Sequence, residues 1–237
     1  MNVEKSIDSL APWITKIRVN NKEYGGDYDA YNDRRVDFFI EKFRNDSLNT
    51  DNFSVLECGC LEGGHTVKIA SEFPNAKIHA VDARDSNLAK AKLHTELFNL
   101  DNVKFDQVDL ETEEKVFENK FSVIFCVGLL YHLRYPEIFL RKCATSSDKL
   151  WLSTVISSEK EAKHLEENDL YRGKIYNEPI DHPLSGVRPT SFFPSLGTLC
   201  NMIWDAGFQK IEVYEQTLTP NGNGPAVLIS TSKSRLD

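Results

Sequence analysis

The chain has 237 residues and a formal net charge of −8, from 28 Lys plus Arg against 36 Asp plus Glu. This length is enough for one α/β domain with a sizeable buried core. Enzymes that act on nucleic acids usually carry a basic face, so the acidic balance disfavours DNA or RNA as the substrate without excluding a local basic patch.

The first thirty residues contain acids early and no continuous apolar stretch. This pattern argues against a signal peptide and a membrane helix, so we expect a cytoplasmic protein that makes no use of a membrane. The five cysteines, an odd number, are expected to be free thiols. Cys58 and Cys60 have no second Cys or His pair at zinc-type spacing, and we therefore expect no metal site.

The region before the first strand is predicted to be mainly helical. Apolar residues at helical spacing predict helices over residues 4–17 and 31–44, joined by a polar link over 20–29. We expect residues 1–49 to form a helical cap over a ligand cleft and residues 50–237 to form the core domain.

The next stretch joins an apolar strand to a glycine loop and a helix over residues 64–73. Gly59 and Gly63 allow positive φ and a close approach of the backbone to a ligand, and the helix directs its free amides to the same place. Glu57 stands at the end of the strand. Its carboxylate would repel a pyrophosphate and attract a cationic amine.

A second acid, Asp82, ends the following apolar run, 25 positions after Glu57. A carboxylate there suits a ribose diol, as in dinucleotide-binding domains. The dinucleotide pattern Gly-x-Gly-x-x-Gly is nevertheless absent, since Leu61 stands where the second glycine is required. By itself Asp82 could equally cap a helix that starts near Ser86.

Two further strands are predicted over residues 102–110 and 121–128, with Asp109 just after the end of the first. The spacing Glu-x-Gly-x-x-x-Gly, followed by acids at the next strand ends, resembles class I S-adenosylmethionine (SAM)-dependent methyltransferases. The segment from Gly128 to His132, Gly-Leu-Leu-Tyr-His, is similar to a bacterial branch of that family. The resemblance covers roughly residues 50–232 and is more specific for the cofactor than for the substrate.

The resemblance implies a SAM site made by four strand ends and the second N-terminal helix. The residues expected to bind the cofactor are Tyr31, Arg34, Glu57, Gly59, Cys60, Gly63, Asp82, Ala83, Asp109, Leu110 and Gly128. Tyr31 and Arg34 are expected to reach the cofactor carboxylate, which an arginine binds well.

The rest of the chain continues the alternation of helices and strands, with helices over 87–99, 136–146 and 195–206 and a strand over 149–156. Two final strands, 209–215 and 226–231, are expected to form a hairpin through a turn at 220–225. We therefore expect a Rossmann-like α/β fold of the methyltransferase type, with a seven-stranded, mostly parallel sheet, an antiparallel C-terminal strand and helices on both faces.

Residues 157–189 are polar and are predicted to form a long loop, part of a substrate-side insertion at 157–193. The residues expected to line an acceptor pocket are Tyr131, Arg134, Tyr171, Tyr176, Arg188 and Phe192. His132 is the candidate catalytic base, because an imidazole titrates near neutrality. Its alternative role is to hold the loop by hydrogen bonds.

The function expected from these patterns is transfer of a methyl group from SAM to an oxygen or nitrogen of a small-molecule metabolite, such as a sugar or a natural-product intermediate. Two alternatives stay open at this stage. One is modification of tRNA wobble uridine, which the acidic charge disfavours, and the other is a non-catalytic SAM-binding regulatory module. A nicotinamide-dependent oxidoreductase ranks last, and the oligomeric state is not indicated.

Overall fold

The computed structural model describes residues 2–49, 52–165, 168–179, 181–218 and 225–233. The chain divides into two compact units, Met1–Asp109 and Leu110–Asp237. Among the helices within the described ranges, none is both long enough and apolar enough to cross a membrane. The assignment of residues 1–49 to a cap and 50–237 to a core domain stays a prediction.

The first unit alternates strands and helices after an irregular N-terminal region. Its elements are α1 Val3–Asp8, β1 Lys16–Val19, β2 Lys22–Gly25, a 3-10 turn Ala30–Asn32, α2 Arg34–Asn49, β3 Ser54–Cys58, α3 Gly64–Glu72, β4 Lys77–Asp82, α4 Asp85–Leu97 and β5 Val103–Gln107. Strand β4 lies between β3 and β5 and is parallel to both. Parallel strands joined by helices are the arrangement that the alternating pattern predicts.

The second unit continues this alternation and adds a small separate sheet. Its elements are a 3-10 helix Lys115–Glu118, β6 Val123–Val127, a 3-10 helix Leu130–His132, α5 Pro136–Ser146, β7 Lys149–Val155, β8 Lys163–Leu165, β9 Asn168–Asn177, β10 Thr190–Pro194, α6 Leu196–Asp205, β11 Lys210–Leu218 and β12 Pro225–Ser232. The helix predicted over residues 136–146 is confirmed at both ends, with Pro136 at its first turn.

Seven strands form one sheet in the order β11-β12-β7-β6-β3-β4-β5. Strand β12 is antiparallel to both of its neighbours, β11 and β7, whereas β6 and β7 pair in parallel. The expected fold class, a mostly parallel sheet with an antiparallel C-terminal strand, is confirmed. Of the turn predicted at residues 220–225, residues 220–224 lie outside the described residues.

The helix predicted over residues 4–17 is wrong after Asp8. Helix α1 ends at Asp8, and a β-hairpin of β1 and β2 follows within the region expected to be a helix and a polar link. Pro12 has no amide to continue a helix. Asn20 and Asn21 both have positive φ, 53° and 60°, and form the two-residue turn that suits such a hairpin.

The long loop predicted over residues 157–189 is also wrong in part. It contains β8 and β9, which form a three-stranded antiparallel sheet with β10 in the order β10-β9-β8. In β9, buried Tyr171 and Gly173 alternate with the more exposed Arg172 and Lys174. The alternation extends over only a few residues, and its exposed positions are charged. The polar composition of the segment therefore predicted a loop where the structure has a strand.

The N-terminal elements of the first unit pack on α4. Ile7, Trp13 and Ile17 form a buried cluster with Leu93 of that helix. The indole Nε1 of Trp13 donates a hydrogen bond to the carbonyl of Ile7 at 2.8 Å, so the buried ring also satisfies its polar atom. This packing fixes the N-terminal segment against the helix that follows Asp82.

Candidate functional site

The loop between β3 and α3 has the backbone that its glycines predict. Gly59 and Gly63 have φ of 76° and 78°, and Leu61 between them has φ of 51°. The amides of Gly59 and Cys60 donate to the carbonyl of Val81 at 2.9 and 3.0 Å, which joins the loop to β4. A side chain at Gly63 would place its Cβ 3.0 Å from Ala91, so glycine is required there by conformation and by space.

Glu57 is almost completely buried, with 1% of its surface exposed. Its Oε2 accepts a hydrogen bond from the hydroxyl of Thr66 in α3 at 2.6 Å. The pKa of Glu57 is raised to about 8, because burial and the nearby charge of Asp82 together outweigh the opposing hydrogen bond from Thr66. A buried carboxyl that is poised near neutrality is well suited to receive a cationic group.

Asp82 holds the glycine loop and the start of α4 together. Its Oδ2 accepts from the amide of Leu61 at 2.9 Å, and its Oδ1 accepts from the amide of Arg84 at 2.9 Å and from Nδ2 of Asn87 at 3.0 Å. Burial raises its pKa, and these hydrogen bonds oppose the shift. Asp82 therefore links the loop to the start of α4 through the amide of Arg84, which precedes the helix, and the side chain of Asn87, rather than through the helix amides that a cap would bind. Its role toward a ribose stays a prediction.

The other residues predicted to bind the cofactor in this unit are Cys60, in the loop itself, and Ala83 and Asp109, which follow β4 and β5. Cys60 is buried, and burial raises the pKa of its thiol. The carbonyl of Ala83 accepts from Nε2 of Gln107 at 3.0 Å. Asp109 is half-buried two residues after β5. The structure thus brings Glu57, Gly59, Cys60, Gly63 and Asp82 together around one loop.

A buried carboxylate that the sequence did not single out anchors the N-terminal segment to this loop. Glu62 has no exposed surface, and its Oε2 accepts from the amides of Ile14 and Thr15 at 2.8 and 2.6 Å. Its Oε1 is 2.7 Å from Nζ of Lys90 in α4. Its position inside the glycine loop, directly before Gly63, is the one feature of the sequence that could have identified it.

Tyr31 and Arg34, which are predicted to reach a cofactor carboxylate, each contact a ring of another residue in the first unit. The hydroxyl of Tyr31 lies 2.7 Å from Nε2 of the buried His94, and burial lowers the pKa of that imidazole. Arg34 is exposed, with its guanidinium 5.2 Å from the centre of the Phe38 ring. Neither observation tests the predicted role, which stays a prediction.

A compact polar network lies where α3 begins. Oδ2 of Asp33 is 2.9 Å from Nε2 of His65 and accepts from the hydroxyl of Tyr28 at 2.9 Å and from Arg35. Burial raises the pKa of Asp33, but the hydrogen bonds from His65 and Arg35 outweigh it and hold the pKa below its usual range. The network places a cation and an imidazole beside the first turn of α3.

In the second unit, His132 forms a pair with Glu178. Its Nδ1 lies 3.0 Å from Oε1 of Glu178, which also accepts from the hydroxyl of Ser191 at 2.6 Å. Oε2 of Glu178 accepts from the amide of Gly186 at 3.1 Å. Burial raises the pKa of Glu178, and His132 and Ser191 outweigh it, so that its pKa lies below the usual range. Glu178 is therefore a buried acceptor that orients the imidazole.

An aromatic group adjoins this pair. The ring of Tyr131 is edge-on to Phe193 with centroids 5.8 Å apart, and Tyr176 stacks on Phe193 at 5.1 Å. Phe192 is buried, and its amide donates to the carbonyl of Leu133 at 2.9 Å. Of the residues predicted to line the pocket, Tyr131 and Tyr176 are thus brought to one aromatic cluster beside His132.

Both arginines predicted to line the acceptor pocket contact Glu111, Arg134 through its backbone amide and Arg188 through its side chain. Its Oε1 accepts from the amide of Arg134 at 2.7 Å, and its Oε2 is 3.5 Å from Nε of Arg188. Tyr171, by contrast, is buried in β9, and burial raises the pKa of its hydroxyl. The carboxylate of Glu111 therefore links the segment after β6 to the one before β10.

Gly128 and Leu110, the last of the predicted cofactor residues, also lie in the second unit. Gly128 has φ of 83°, and its amide donates to the carbonyl of Ser153 in β7 at 3.0 Å. Leu110 is buried, and its carbonyl accepts from Nζ of Lys142 at 3.3 Å. All five cysteines are unpaired thiols. Within the described ranges, no three His, Cys, Asp or Glu side chains are placed to hold a metal ion.

A family model described as a methyltransferase domain matches residues 49–178. Over 207 residues the chain is 26% identical to the tRNA U34 carboxymethyltransferase of Pseudoalteromonas atlantica, an alignment that covers 86% of this chain and 59% of that protein. Over 114 residues it is 25% identical to the ubiquinone biosynthesis O-methyltransferase of Neisseria meningitidis serogroup C, covering 47% of this chain and 48% of that protein. The chain therefore spans less than two thirds of the length of either relative.

Among solved structures, the chain is similar to the N-terminal domain of EvdMO1 with SAH bound. The TM-score is 0.84 at 24% identity, and the match covers 98% of this chain and 96% of that one. The same domain in the presence of SAH and D-fucose gives a TM-score of 0.84 at 23% identity, covering 99% and 98% of the two chains. At these identities the likeness shows the fold.

Proposed function

The chain belongs to the methyltransferase-domain family, and from that premise we propose that it binds SAM and transfers the methyl group to an oxygen or nitrogen of a small-molecule metabolite. One observation carries this proposal: the glycine loop after β3 lies against two buried acids, Glu57 and Asp82, and lacks the dinucleotide glycine pattern. Such a loop favours a ligand with a cationic amine and a ribose over one with a pyrophosphate.

The acids beside the loop suit SAM. In this proposal Asp82 accepts hydrogen bonds from the ribose hydroxyls, and Glu57 holds the ammonium group. The bound SAH in the EvdMO1 N-terminal domain supports this choice, because that domain has the same fold. When bound, SAM supplies a methyl group that is already activated by its sulfonium.

The chain's own residues must align the acceptor, exclude water and, for a hydroxyl acceptor, remove a proton. We assign the last task to His132. With Nδ1 oriented by Glu178, the other ring nitrogen, Nε2, is the one that would take the acceptor proton. Glu178 is a positioning residue that stabilises the resulting imidazolium, as the carboxylate does in hydrolase triads.

The acceptor is proposed to be a small polar metabolite, with Tyr176 and Arg188 on its side of the site. The net charge of −8 disfavours a polyanionic substrate. A sugar or a natural-product intermediate agrees with two similar proteins: one is named an O-methyltransferase, and the other was crystallised in the presence of D-fucose.

A direct test uses purified protein in two steps. Calorimetry should show binding of SAM and of its demethylated product and no binding of NAD or NADP. Incubation with methyl-labelled SAM and a metabolite extract should then give a labelled small molecule, which mass spectrometry identifies. NADH binding without a response to SAM would end the methyltransferase proposal.

A second candidate function is modification of tRNA, because the alignment with the tRNA U34 carboxymethyltransferase covers 86% of this chain. The same labelling experiment, with total tRNA added as a separate fraction, distinguishes the two. Label in tRNA and in no small molecule would replace our choice of substrate. Label in neither fraction, with SAM bound, would favour a regulatory SAM-binding module.

A further inference from the structure

Ser157, two residues after β7, carries a buried hydroxyl that the proposed mechanism does not use. The residue is 4% exposed, and within the described part of the chain its Oγ is the buried side-chain polar atom that has no hydrogen-bond partner. Buried polar groups in folded proteins are nearly always paired, because an unpaired one keeps the cost of losing water. An unpaired hydroxyl at this position therefore indicates a partner from outside the chain.

The position of Ser157 connects it to the aromatic cluster beside His132. Its backbone amide donates to the carbonyl of Pro194 at 2.9 Å. Pro194 follows Phe193, whose ring contacts Tyr131. The backbone of Ser157 is thus hydrogen-bonded to the residue that directly follows Phe193 of the aromatic cluster.

The C-terminal part of β7 is also hydrogen-bonded to the segment that leads to His132. The carbonyl of Ser153 accepts from the amide of Gly128, where the chain leaves β6. The carboxyl ends of strands in α/β sheets are where ligands bind. Ser157 is thus at the end of the strand where a ligand of this unit is expected, rather than at the opposite edge.

From these observations we infer that Ser157 is a specificity-determining residue whose Oγ hydrogen-bonds the methyl acceptor. The inference rests on the proposed function. It narrows the acceptor to a molecule with a hydroxyl or carbonyl group directed at Ser157, because a hydroxyl can both donate and accept. An acceptor that is apolar at this point would leave Oγ unpaired, and sites of this kind reject such analogues strongly.

The test compares Ser157→Ala with Ser158→Ala in the labelled-SAM reaction, using metabolite extract diluted until labelling is proportional to acceptor. Ser158 is a matched control, since its hydroxyl donates to Glu161 Oε2 at 3.0 Å on the exposed side. We expect labelling of the same product to fall about tenfold in Ser157→Ala, the typical effect of one lost hydrogen bond. Ser158→Ala should label as the wild type does.

Thermal melting without acceptor gives an independent measurement. Ser157→Ala removes an unpaired buried hydroxyl, so its melting temperature should equal or exceed that of the wild type. A lower melting temperature would show that Oγ has a structural partner and would overturn the inference. Equal labelling by the wild type and Ser157→Ala would overturn it as well. If the wild type labels no product, the proposed function fails and this inference fails with it.

Discussion

The Nδ1 atom of His132 lies 3.0 Å from Oε1 of Glu178, a residue 46 positions later in the chain. Glu178 is 8% exposed and also accepts hydrogen bonds from Ser191 and Gly186. Three donors thus hold this carboxylate in one orientation. This pair supports the proposal that His132 is the general base, because a carboxylate held at Nδ1 leaves Nε2 as the nitrogen that would take a proton.

The first prediction follows from this pair. His132→Ala should lower turnover by roughly two to four orders of magnitude, the range for loss of a general base. The affinity for SAM should be nearly unchanged, and the acidic limb of the pH profile of turnover should be lost. Steady-state kinetics and calorimetry measure these quantities.

Glu178→Gln is the matched variant, because the amide keeps the shape but can present an N–H to Nδ1 and so favour the wrong tautomer. It should lower turnover as well, with the Michaelis constant for the acceptor changed little. A loss of less than about tenfold in both variants would show that His132 holds the loop and does not take the proton.

The second prediction concerns the protonation of Glu57, whose pKa burial raises to about 8. At pH 7 the acid is mostly neutral, and a bound cationic amine would favour its charged form. Binding of SAM should therefore release protons at pH 7, which calorimetry in buffers of different ionisation enthalpy measures. Glu57→Gln should bind more weakly and release no proton through this group.

The raised pKa of Glu57 also makes the stability of the protein depend on pH. Because the folded pKa of Glu57 is above the unfolded value, roughly 4.3, its contribution to stability is complete below that value and is lost as the pH rises through about 8. The free energy of unfolding of Glu57→Gln should thus rise relative to the wild type between pH 5 and pH 8. If the difference in free energy of unfolding between the two proteins did not change with pH, the raised pKa of Glu57 would be contradicted.

The third prediction separates the two roles of Asp82. Asp82→Ala should weaken SAM binding by about 1–3 kcal/mol, the cost of losing hydrogen bonds to a buried charged acceptor. It should also lower the melting temperature, because Leu61 and Arg84 lose their acceptor. The control is Asn87→Ala, which removes one donor to Asp82 and leaves the carboxylate in place. If stability falls in Asp82→Ala while affinity in the folded protein is unchanged, the ribose assignment is wrong.

The fourth prediction compares two glycines. Gly63→Ala places a side chain at φ of 78° and brings its Cβ to 3.0 Å from Ala91, so it should destabilise the protein by about 1–2 kcal/mol or more. Gly197, in the first turn of α6, has open space around the added Cβ. Gly197→Ala should be neutral or stabilise by roughly 0.5–1 kcal/mol. Unfolding by denaturant measures the free energy of unfolding of both variants. Equal changes in the two variants would refute the prediction.

The fifth prediction addresses the acceptor side. Arg188→Ala and Tyr176→Ala should raise the Michaelis constant for the acceptor identified by labelling and leave the affinity for SAM unchanged. Lys174→Ala is a suitable control on the same strand as Tyr176, since Lys174 pairs with the exposed Glu161. A weaker affinity for SAM in either test variant would place that residue on the cofactor side.

The sequence was sufficient for the alternating core because each signal there is local. The apolar run before Glu57, positive φ at Gly59 and Gly63, and the acid at the end of the next strand are all read within a few residues, and the structure has the expected elements at these positions. The N-terminal region was predicted less well. The helical spacing over residues 4–17 concealed the start of β1, and the polar link predicted over 20–29 contains the hairpin turn at Asn20 and Asn21, where the side chains tolerate positive φ.

The partners of the buried acids could not be predicted in this way. Glu62 accepts from Thr15, 47 positions earlier, and Glu178 pairs with His132 across 46 positions. No periodicity connects residues so far apart, and Glu178 lay in a segment whose charged composition indicated a loop. The unpaired hydroxyl of Ser157 is equally invisible in the sequence, since burial and pairing are properties of the packed chain.

The sequence by itself determined the parallel α/β core, the glycine loop and the acids at the strand ends, because hydrophobic period and backbone conformation depend on neighbouring residues. Only the tertiary structure decided which carboxylate orients His132, which one holds the N-terminal segment, and that the pKa of Glu57 lies near 8. Those properties depend on desolvation and on hydrogen bonds between distant parts of the chain, which exist only once the chain is packed.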